Sequence, residues 1–166
     1  LWSRGLGDVY KRQVASRLTQ TLGALERTMD TRNREQVKEY VFREGITSVS
    51  NNAKWERLFA LLAESDRFFQ YRRTDLDGST FPEDGTSYTP ELAQYWGNFW
   101  VMEWLDILAY RAHSKGALLA PEIEDFTEEV VEIASRAGVK FTMRERGIRV
   151  WGYVRKGTSP DFCRWT

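Results

Sequence analysis

The chain has 166 residues, which is enough for one ordinary domain and too few for two comfortable ones. Apolar residues make up 42% and charged residues 29%, a balance typical of globular proteins rather than disordered chains. The 24 basic and 24 acidic residues cancel, which disfavours nucleic-acid binding by the whole surface. With no apolar run of about 18 residues and a single cysteine, Cys163, we expect a cytoplasmic protein with no membrane association and no disulfide.

The balanced total hides a segregation of charge along the chain. Residues 51–137 contain 8 basic and 16 acidic residues, whereas residues 138–166 contain 7 basic and 2 acidic ones. An acidic region attracts a basic partner over long range. We therefore expect an unknown protein partner, with a basic surface as the favoured case.

The first residues have the sequence of a translated sequencing adaptor. Asp8–Gln13 matches what a transposon end encodes in one reading frame, and the chain begins with Leu1. We therefore expect residues 1–13 to be an adaptor artefact, residues 14–49 an N-terminal helical extension, and residues 50–166 a single α+β domain.

Apolar spacing in the N-terminal half predicts three helices. The first, over residues 14–29, has apolar residues at steps of three and four. The second lies between a cap at Thr31 and a C-terminal Gly45. The third follows the capping residues 50–52 and ends at Ser65. Its apolar face consists of Trp55, Leu58, Phe59 and Leu62.

Aromatic and β-branched residues predict strands in the second half. Residues 67–76 indicate a strand with a turn at Asp77 and Gly78, followed by a loop over residues 79–89 and a helix beginning at Pro90. Residues 99–108 fit both periods, since Trp96, Trp100 and Trp104 are four apart. The β-branched and aromatic content favours a strand there.

The C-terminal third predicts a loop over 109–121, a helix from Pro121 to Gly138, and a hairpin of residues 139–143 and 148–154. Strands segregated from helices are typical of an α+β protein. We expect an antiparallel sheet with helices packed mainly on one face and extra N-terminal helices.

Four short segments are familiar as a set: Asn52–Trp55, Met102–Ile107, Gly116–Glu122 and Ile148–Tyr153. Together they resemble an uncharacterised bacterial family of small single-domain proteins, a domain of unknown function, over about residues 50–162. The resemblance implies no catalytic residues and no cofactor. Small cytoplasmic proteins of this kind include immunity proteins of bacterial toxin systems, so it implies by analogy an immunity-like role.

Few residues have the chemistry of an active site. His113 and Cys163 are the only residues of their types, too few for a zinc site in one chain, and His113 fits a surface position better than a general base. Asp75 and Asp77 mimic the start of a calcium loop, but Gly78 is misplaced. A turn is the favoured interpretation, and a magnesium site at these two aspartates is the alternative. No nucleotide-binding or nucleophile motif occurs.

Carboxylates and tryptophans in the strands are the remaining candidates. Glu103 and Asp106 interrupt an apolar strand and, being three apart, are predicted to face opposite sides. A buried Glu103 requires a partner such as Arg72 or Arg149. Most tryptophans fit the core, whereas a partly exposed one beside arginines forms a binding hot spot. The candidate binding residues are Trp100, Glu103, Asp106, Trp151 and Tyr153.

These observations favour a non-enzymatic, cytoplasmic interaction protein, immunity-like in its role, that binds a protein partner through an acidic and aromatic surface. The alternative is a metal-dependent hydrolase or nuclease that uses clustered carboxylates, namely Asp75, Asp77, Glu103 or Asp106. A weaker alternative is single-stranded nucleic-acid binding by the C-terminal hairpin, through Lys140, Arg144, Arg146 and Arg149.

Overall fold

The computed structural model describes residues 33–89, 99–115 and 120–163. Among these residues, no helix combines the length and apolar composition that crossing a bilayer requires. The helix expected over 14–29, the cap at Thr31 and the helix start at Pro90 lie outside the described residues.

The chain divides into two compact units, Leu1–Tyr40 and Val41–Thr166. The described residues of the first unit, 33–40, are helical, and this helix, α1, continues to residue 43. It is followed by Gly45, whose φ of +63° gives the left-handed backbone expected after a helix C-terminus.

The described residues of the second unit contain two further helices and ten strands. The helices are α2 (Asn52–Glu64) and α3 (Thr127–Ala137). The strands are β1 (Thr47–Ser48), β2 (Gln70–Asp75), β3 (Thr80–Phe81), β4 (Ser87–Tyr88), β5 (Met102–Leu108), β6 (Tyr110–His113), β7 (Glu122–Asp125), β8 (Lys140–Arg144), β9 (Gly147–Trp151) and β10 (Tyr153–Val154).

The main sheet is antiparallel, with strand order β3-β2-β5-β9-β8 and with β4 also paired to β2. Two short antiparallel ladders join β1 to β10 and β6 to β7. Both α2 and α3 contribute to one core with the central strands, and they contact each other. The α+β prediction, with helices on one face of an antiparallel sheet, is confirmed.

The core lies between this sheet face and the two helices. From α2 it receives the four predicted side chains, all buried: Trp55, Leu58, Phe59 and Leu62. From β5 and β9 it receives alternate residues, which are fully buried: Leu105, Ile107, Ile148 and Val150. Each such aliphatic side chain stabilises the fold by roughly 1.5–3 kcal/mol relative to exposure. This alternation leaves the intervening side chains of the same strands on the opposite face.

Side-chain hydrogen bonds lie at the start of both helices, but only α2 has a side-chain N-cap. The Asn51 side chain accepts a hydrogen bond from the Lys54 backbone N–H at 3.0 Å, which identifies the N-cap among the three candidates. At α3 the N-cap is Phe126, whose side chain makes no capping bond, and the preceding Asp125 side chain accepts a hydrogen bond from the Thr127 N–H at 2.9 Å. Gly138 ends α3, as predicted, with a left-handed backbone.

Three segments predicted as loops or linkers contain short strands. The 79–89 segment includes β3 and β4, which both pair with β2, and the 46–50 segment includes β1, which pairs with β10. The 109–121 segment includes β6. Each strand is two to four residues long. An apolar alternation is not detectable over such lengths, so the neighbouring strand determines the conformation.

The helix predicted from Pro121 begins later in the structure. Glu122–Asp125 forms β7 against β6, and α3 starts only at Thr127. The strand interpretation of residues 99–108 is confirmed for β5, with Phe99–Val101 forming a 3₁₀ turn before it. The last predicted strand is divided at Gly152 into β9 and β10.

Candidate functional site

The sheet face opposite the helices carries a cluster of aromatic and charged side chains. Strand register places Trp104 opposite both Thr74 and Trp151, and it places Asp106 opposite both Arg72 and Arg149. On the next strand, Lys140 lies opposite Trp151 and Thr142 opposite Arg149. We call this surface the Trp face and define it by Arg72, Trp104, Asp106, Lys140, Thr142, Arg144, Arg149 and Trp151.

A salt bridge lies at the centre of the Trp face. Arg149 donates to Asp106 through Nε at 2.6 Å and through Nη2 at 2.7 Å. The two side chains are 17% and 18% exposed, so the pair is largely shielded from water. Two parallel hydrogen bonds fix the plane of the guanidinium as well as its position.

Two tryptophans flank this salt bridge. The Arg149 guanidinium carbon lies 4.6 Å from the Trp104 ring centroid and 5.6 Å from that of Trp151, both within cation–π range. The two ring centroids are 5.7 Å apart and the rings are inclined at 56°. The Trp151 indole N–H donates to the Thr142 hydroxyl at 3.1 Å. Both rings therefore have contacts within the protein that hold them in place.

Basic side chains surround this centre. Arg72, Lys140 and Arg144 are exposed, and Arg144 Nε lies 3.8 Å from an oxygen of Asp106. With Arg149, the Trp face has four cations against one carboxylate. Much of the acidic excess of residues 51–137 lies instead on β7 and α3, which carry Glu122, Glu124, Asp125, Glu128, Glu129 and Glu132.

A cleft of about 690 Å³ adjoins the Trp face at Arg144. Its lining is mixed apolar and charged: Leu108, Tyr110, Met143, Arg144, Glu145 and Arg146. The Arg146 guanidinium lies 5.3 Å from the Tyr110 ring centroid. Gly147, opposite both Leu108 and Arg144, adds no side chain to the cleft.

The candidate Glu103 belongs to a different set of contacts. It is 2% exposed and accepts hydrogen bonds from Arg155 Nε at 2.8 Å and Nη2 at 2.6 Å. The expected partners, Arg72 and Arg149, were wrong, because β5 turns Glu103 towards the segment after β10. Arg155 also donates to the Leu76 carbonyl at 2.9 Å, which makes this ion pair a link between three chain segments.

Trp100 and Tyr153 also lie apart from the Trp face. The Tyr153 hydroxyl donates to the Trp100 carbonyl at 2.7 Å, which connects β10 to the 3₁₀ turn. Burial raises the pKa of Tyr153, since the phenolate is disfavoured where water is scarce. Of the five candidate binding residues, the Trp face therefore includes Asp106 and Trp151.

The two aspartates at the end of β2 and in the turn after it, Asp75 and Asp77, have partners within the protein. Arg73 donates to both oxygens of Asp75 at 2.5 and 2.6 Å, and burial raises the pKa of Asp75 against the effect of that arginine. Asp77 accepts from the Ser79 hydroxyl at 2.6 Å and the Ser79 N–H at 2.9 Å, which lowers its pKa. Among the described residues, no group of three or more His, Cys, Asp or Glu side chains is placed to hold a metal.

His113 lies at the surface on β6, in an ionic cluster. Its Nε2 is 3.3 Å from a Glu124 oxygen, and Arg67 donates to the other oxygen at 2.8 Å. Arg67, followed by His113, holds the pKa of Glu124 below its usual value, and Glu124 in turn raises the pKa of Arg67. Cys163 lies elsewhere, with its N–H bonded to the Phe141 carbonyl at 3.0 Å.

Trp104 is the central residue that sequence reasoning did not select for the site. Its spacing from Trp100 suggested a shared helix face, whereas in β5 the partners of Trp104 come from neighbouring strands. The available signal was the alternation of Trp104 and Asp106 with Leu105 and Ile107. That pattern places the tryptophan and the carboxylate together on the face away from the core.

Comparison with known families matches residues 37–157 to the model of DUF6678, a family of unknown function. The resemblance to an uncharacterised family is thereby confirmed, with a match that starts earlier than the expected residue 50. No curated protein and no solved structure matches the chain.

Proposed function

Because the chain belongs to DUF6678, a family of unknown function, we propose its role from geometry: a non-enzymatic interaction protein whose Trp face binds a protein partner. The observation that carries this proposal is the Trp104–Arg149–Trp151 cluster, held by Asp106 on the sheet face away from the core. Tryptophan and arginine are the residues most enriched at the energetic centres of protein interfaces.

The fixed geometry of the cluster favours binding. Ordering a flexible side chain at an interface costs about 0.5–1.5 kcal/mol. Arg149 and Trp151 already have defined positions through Asp106 and Thr142, so little of this cost remains when a partner docks. Exposed cations at the rim, such as Lys140 and Arg144, can accelerate encounter with an oppositely charged surface.

The alternative of a metal-dependent hydrolase finds less support in the geometry. Such a mechanism requires at least two carboxylates that converge on one ion. The four candidates instead have separate partners within the protein: Arg73 for Asp75, Ser79 for Asp77, Arg155 for Glu103 and Arg149 for Asp106.

An immunity-like role in a bacterial cytoplasm is the finer form of this proposal. Its support is an analogy of size and type with small bacterial partner proteins. In that form the partner is a toxin, and binding blocks the toxin without any reaction catalysed by this chain.

Charge reversal on the Trp face tests the proposal. Lys140 and Arg144 are exposed, so the double variant Lys140→Glu, Arg144→Glu changes the surface with little effect on the core. Arg57→Glu, an exposed change on α2, is the matched control. We expect a protein from the source cells to be retained by the wild type and the control, and released by the double variant. Equal retention by all three would show that binding uses another surface.

A further inference from the structure

We propose, on the basis of the function proposed above, that the partner presents an acidic segment to the Trp face. Four cations, Arg72, Lys140, Arg144 and Arg149, face one carboxylate, Asp106, which already pairs with Arg149. Of the other three, Arg144 lies 3.8 Å from the same carboxylate and Arg72 donates to the Glu83 carbonyl at 3.3 Å, so one carboxylate is shared and the positive charge of the face remains in excess. A partner lacking acidic groups would bury this excess charge without compensation. Charge complementarity therefore selects carboxylates, although the composition of residues 51–137 had favoured a basic partner.

The cleft beside the Trp face provides a place for such a carboxylate. Two arginines, Arg144 and Arg146, line it against one carboxylate, Glu145, and arginine binds carboxylates through two parallel hydrogen bonds. Leu108 and Tyr110 line it as well and give apolar contact to the stem of a glutamate side chain. Any side chain at Gly147 would collide with the backbone carbonyl of Ile107, so this position stays free of side-chain atoms.

Single-stranded nucleic acid is the competing occupant, and the ring geometry disfavours it. Bases stack on flat aromatic rings that are open on one side. The Arg149 guanidinium covers one side of the Trp104 ring, and Trp151 is inclined to Trp104 at 56° with its indole N–H held by Thr142. Two such rings do not form a stacking platform for successive bases, whereas they suit an irregular protein surface.

Fluorescence anisotropy on the full chain tests this inference with three labelled probes of equal length. These are an alternating Glu/Tyr peptide, its Lys/Tyr counterpart and an oligo-dT strand. We expect the Glu/Tyr peptide to bind most tightly and to weaken as salt rises. Lys140→Glu, Arg144→Glu should reduce its affinity about tenfold or more, and Arg57→Glu should change it by less than about twofold. Thermal unfolding of each variant establishes that it is folded, and Lys140→Gln, Arg144→Gln replaces the double reversal if that variant is not.

Three results would overturn the inference: tighter binding of the lysine peptide, tighter binding of oligo-dT, or no binding of the Glu/Tyr peptide to the wild type. The same holds if the double variant binds this peptide as well as the wild type does. The capture experiment separates this failure from that of the proposed function. If the peptide experiment fails but the double variant still releases a cellular protein, the Trp face remains a docking surface and only the acidic nature of the partner is rejected.

Discussion

Replacing Arg155 with methionine removes the cation from a buried carboxylate. Glu103 is 2% exposed, and Arg155 supplies two hydrogen bonds to it at 2.8 and 2.6 Å. Methionine keeps much of the aliphatic stem but leaves Glu103 without its charge partner and also removes a donor to the Leu76 carbonyl. We therefore expect Arg155→Met to be strongly destabilising although Arg155 is partly exposed.

The size of the effect follows from burial. Breaking a buried ion pair by removing one partner costs about 3–5 kcal/mol. The Arg155 side chain is 42% exposed, so water reaches the vacated position and the lower value, about 3 kcal/mol, is expected. For a chain of this length, each kcal/mol shifts the melting temperature by about 2–4 °C, which gives a decrease of roughly 6–12 °C.

Urea denaturation of four proteins measures this effect and its origin: wild type, Arg155→Met, Glu103→Gln and the double variant. Glu103→Gln removes the buried charge and keeps the volume, at a cost of about 1–2 kcal/mol. If an unpaired charge is the cause, the double variant should be more stable than the sum of the single changes implies, by about 2 kcal/mol.

Two results would refute this reasoning. A loss below about 0.5 kcal/mol for Arg155→Met would mean that Glu103 is effectively hydrated despite its burial. Additive single changes would mean that Arg155 acts through packing or through Leu76 alone. Unchanged denaturant slopes across the four proteins are the control for altered unfolded states.

Four further substitutions have defined outcomes. Gly147→Ala should lower the free energy of unfolding by about 3 kcal/mol because the added Cβ overlaps the Ile107 carbonyl. Gly78→Ala, with open space around it, should lower it by about 1 kcal/mol. Urea denaturation midpoints of the two variants measure the difference. Asn51→Ala should lose about 1 kcal/mol as the α2 N-cap is removed. Since burial raises the pKa of Tyr153, the folded state binds this proton more tightly than the unfolded one. The stability that this proton contributes is therefore fully present below about pH 10 and is lost as pH rises through the pKa of the folded state. Tyr153→Phe should remove this loss of stability, which thermal melts at alkaline pH would measure.

Local periodicity was sufficient for much of the fold. The four apolar residues of α2 and the final hairpin follow from spacing within one segment. The strand nature of β5 followed instead from its β-branched and aromatic content, since its spacing fitted both periods. The short strands β3, β4, β6 and β7 did not, because a segment of two to four residues takes its conformation from the strand beside it. Such pairing depends on contacts that are distant in sequence and have no local pattern.

The candidate site was harder to predict because register determines it. Asp106 and Arg149 are 43 positions apart, and a shift of one residue between β5 and β9 would separate them. The sequence suggested that an arginine such as Arg149 would pair with a carboxylate in this strand, yet it assigned that role to Glu103. Odd and even positions along a strand face opposite sides, which separated Glu103 from Asp106. This alternation does not identify which strand lies beside β5, so it could not identify the arginine partner of either carboxylate.

The charge summed along a chain segment does not give the charge of the surface to which that segment contributes. Successive side chains of a strand point to opposite faces, so one segment contributes to two environments. The acidic total of residues 51–137 includes Asp106 in β5, yet β2 of the same segment adds Arg72 to the Trp face, and β8 and β9 add three further cations. An acidic segment thus contributes to a basic surface. The chemistry of a partner should therefore be inferred from the residues that share a face, and on the Trp face these are the cations on which our proposal of an acidic partner rests.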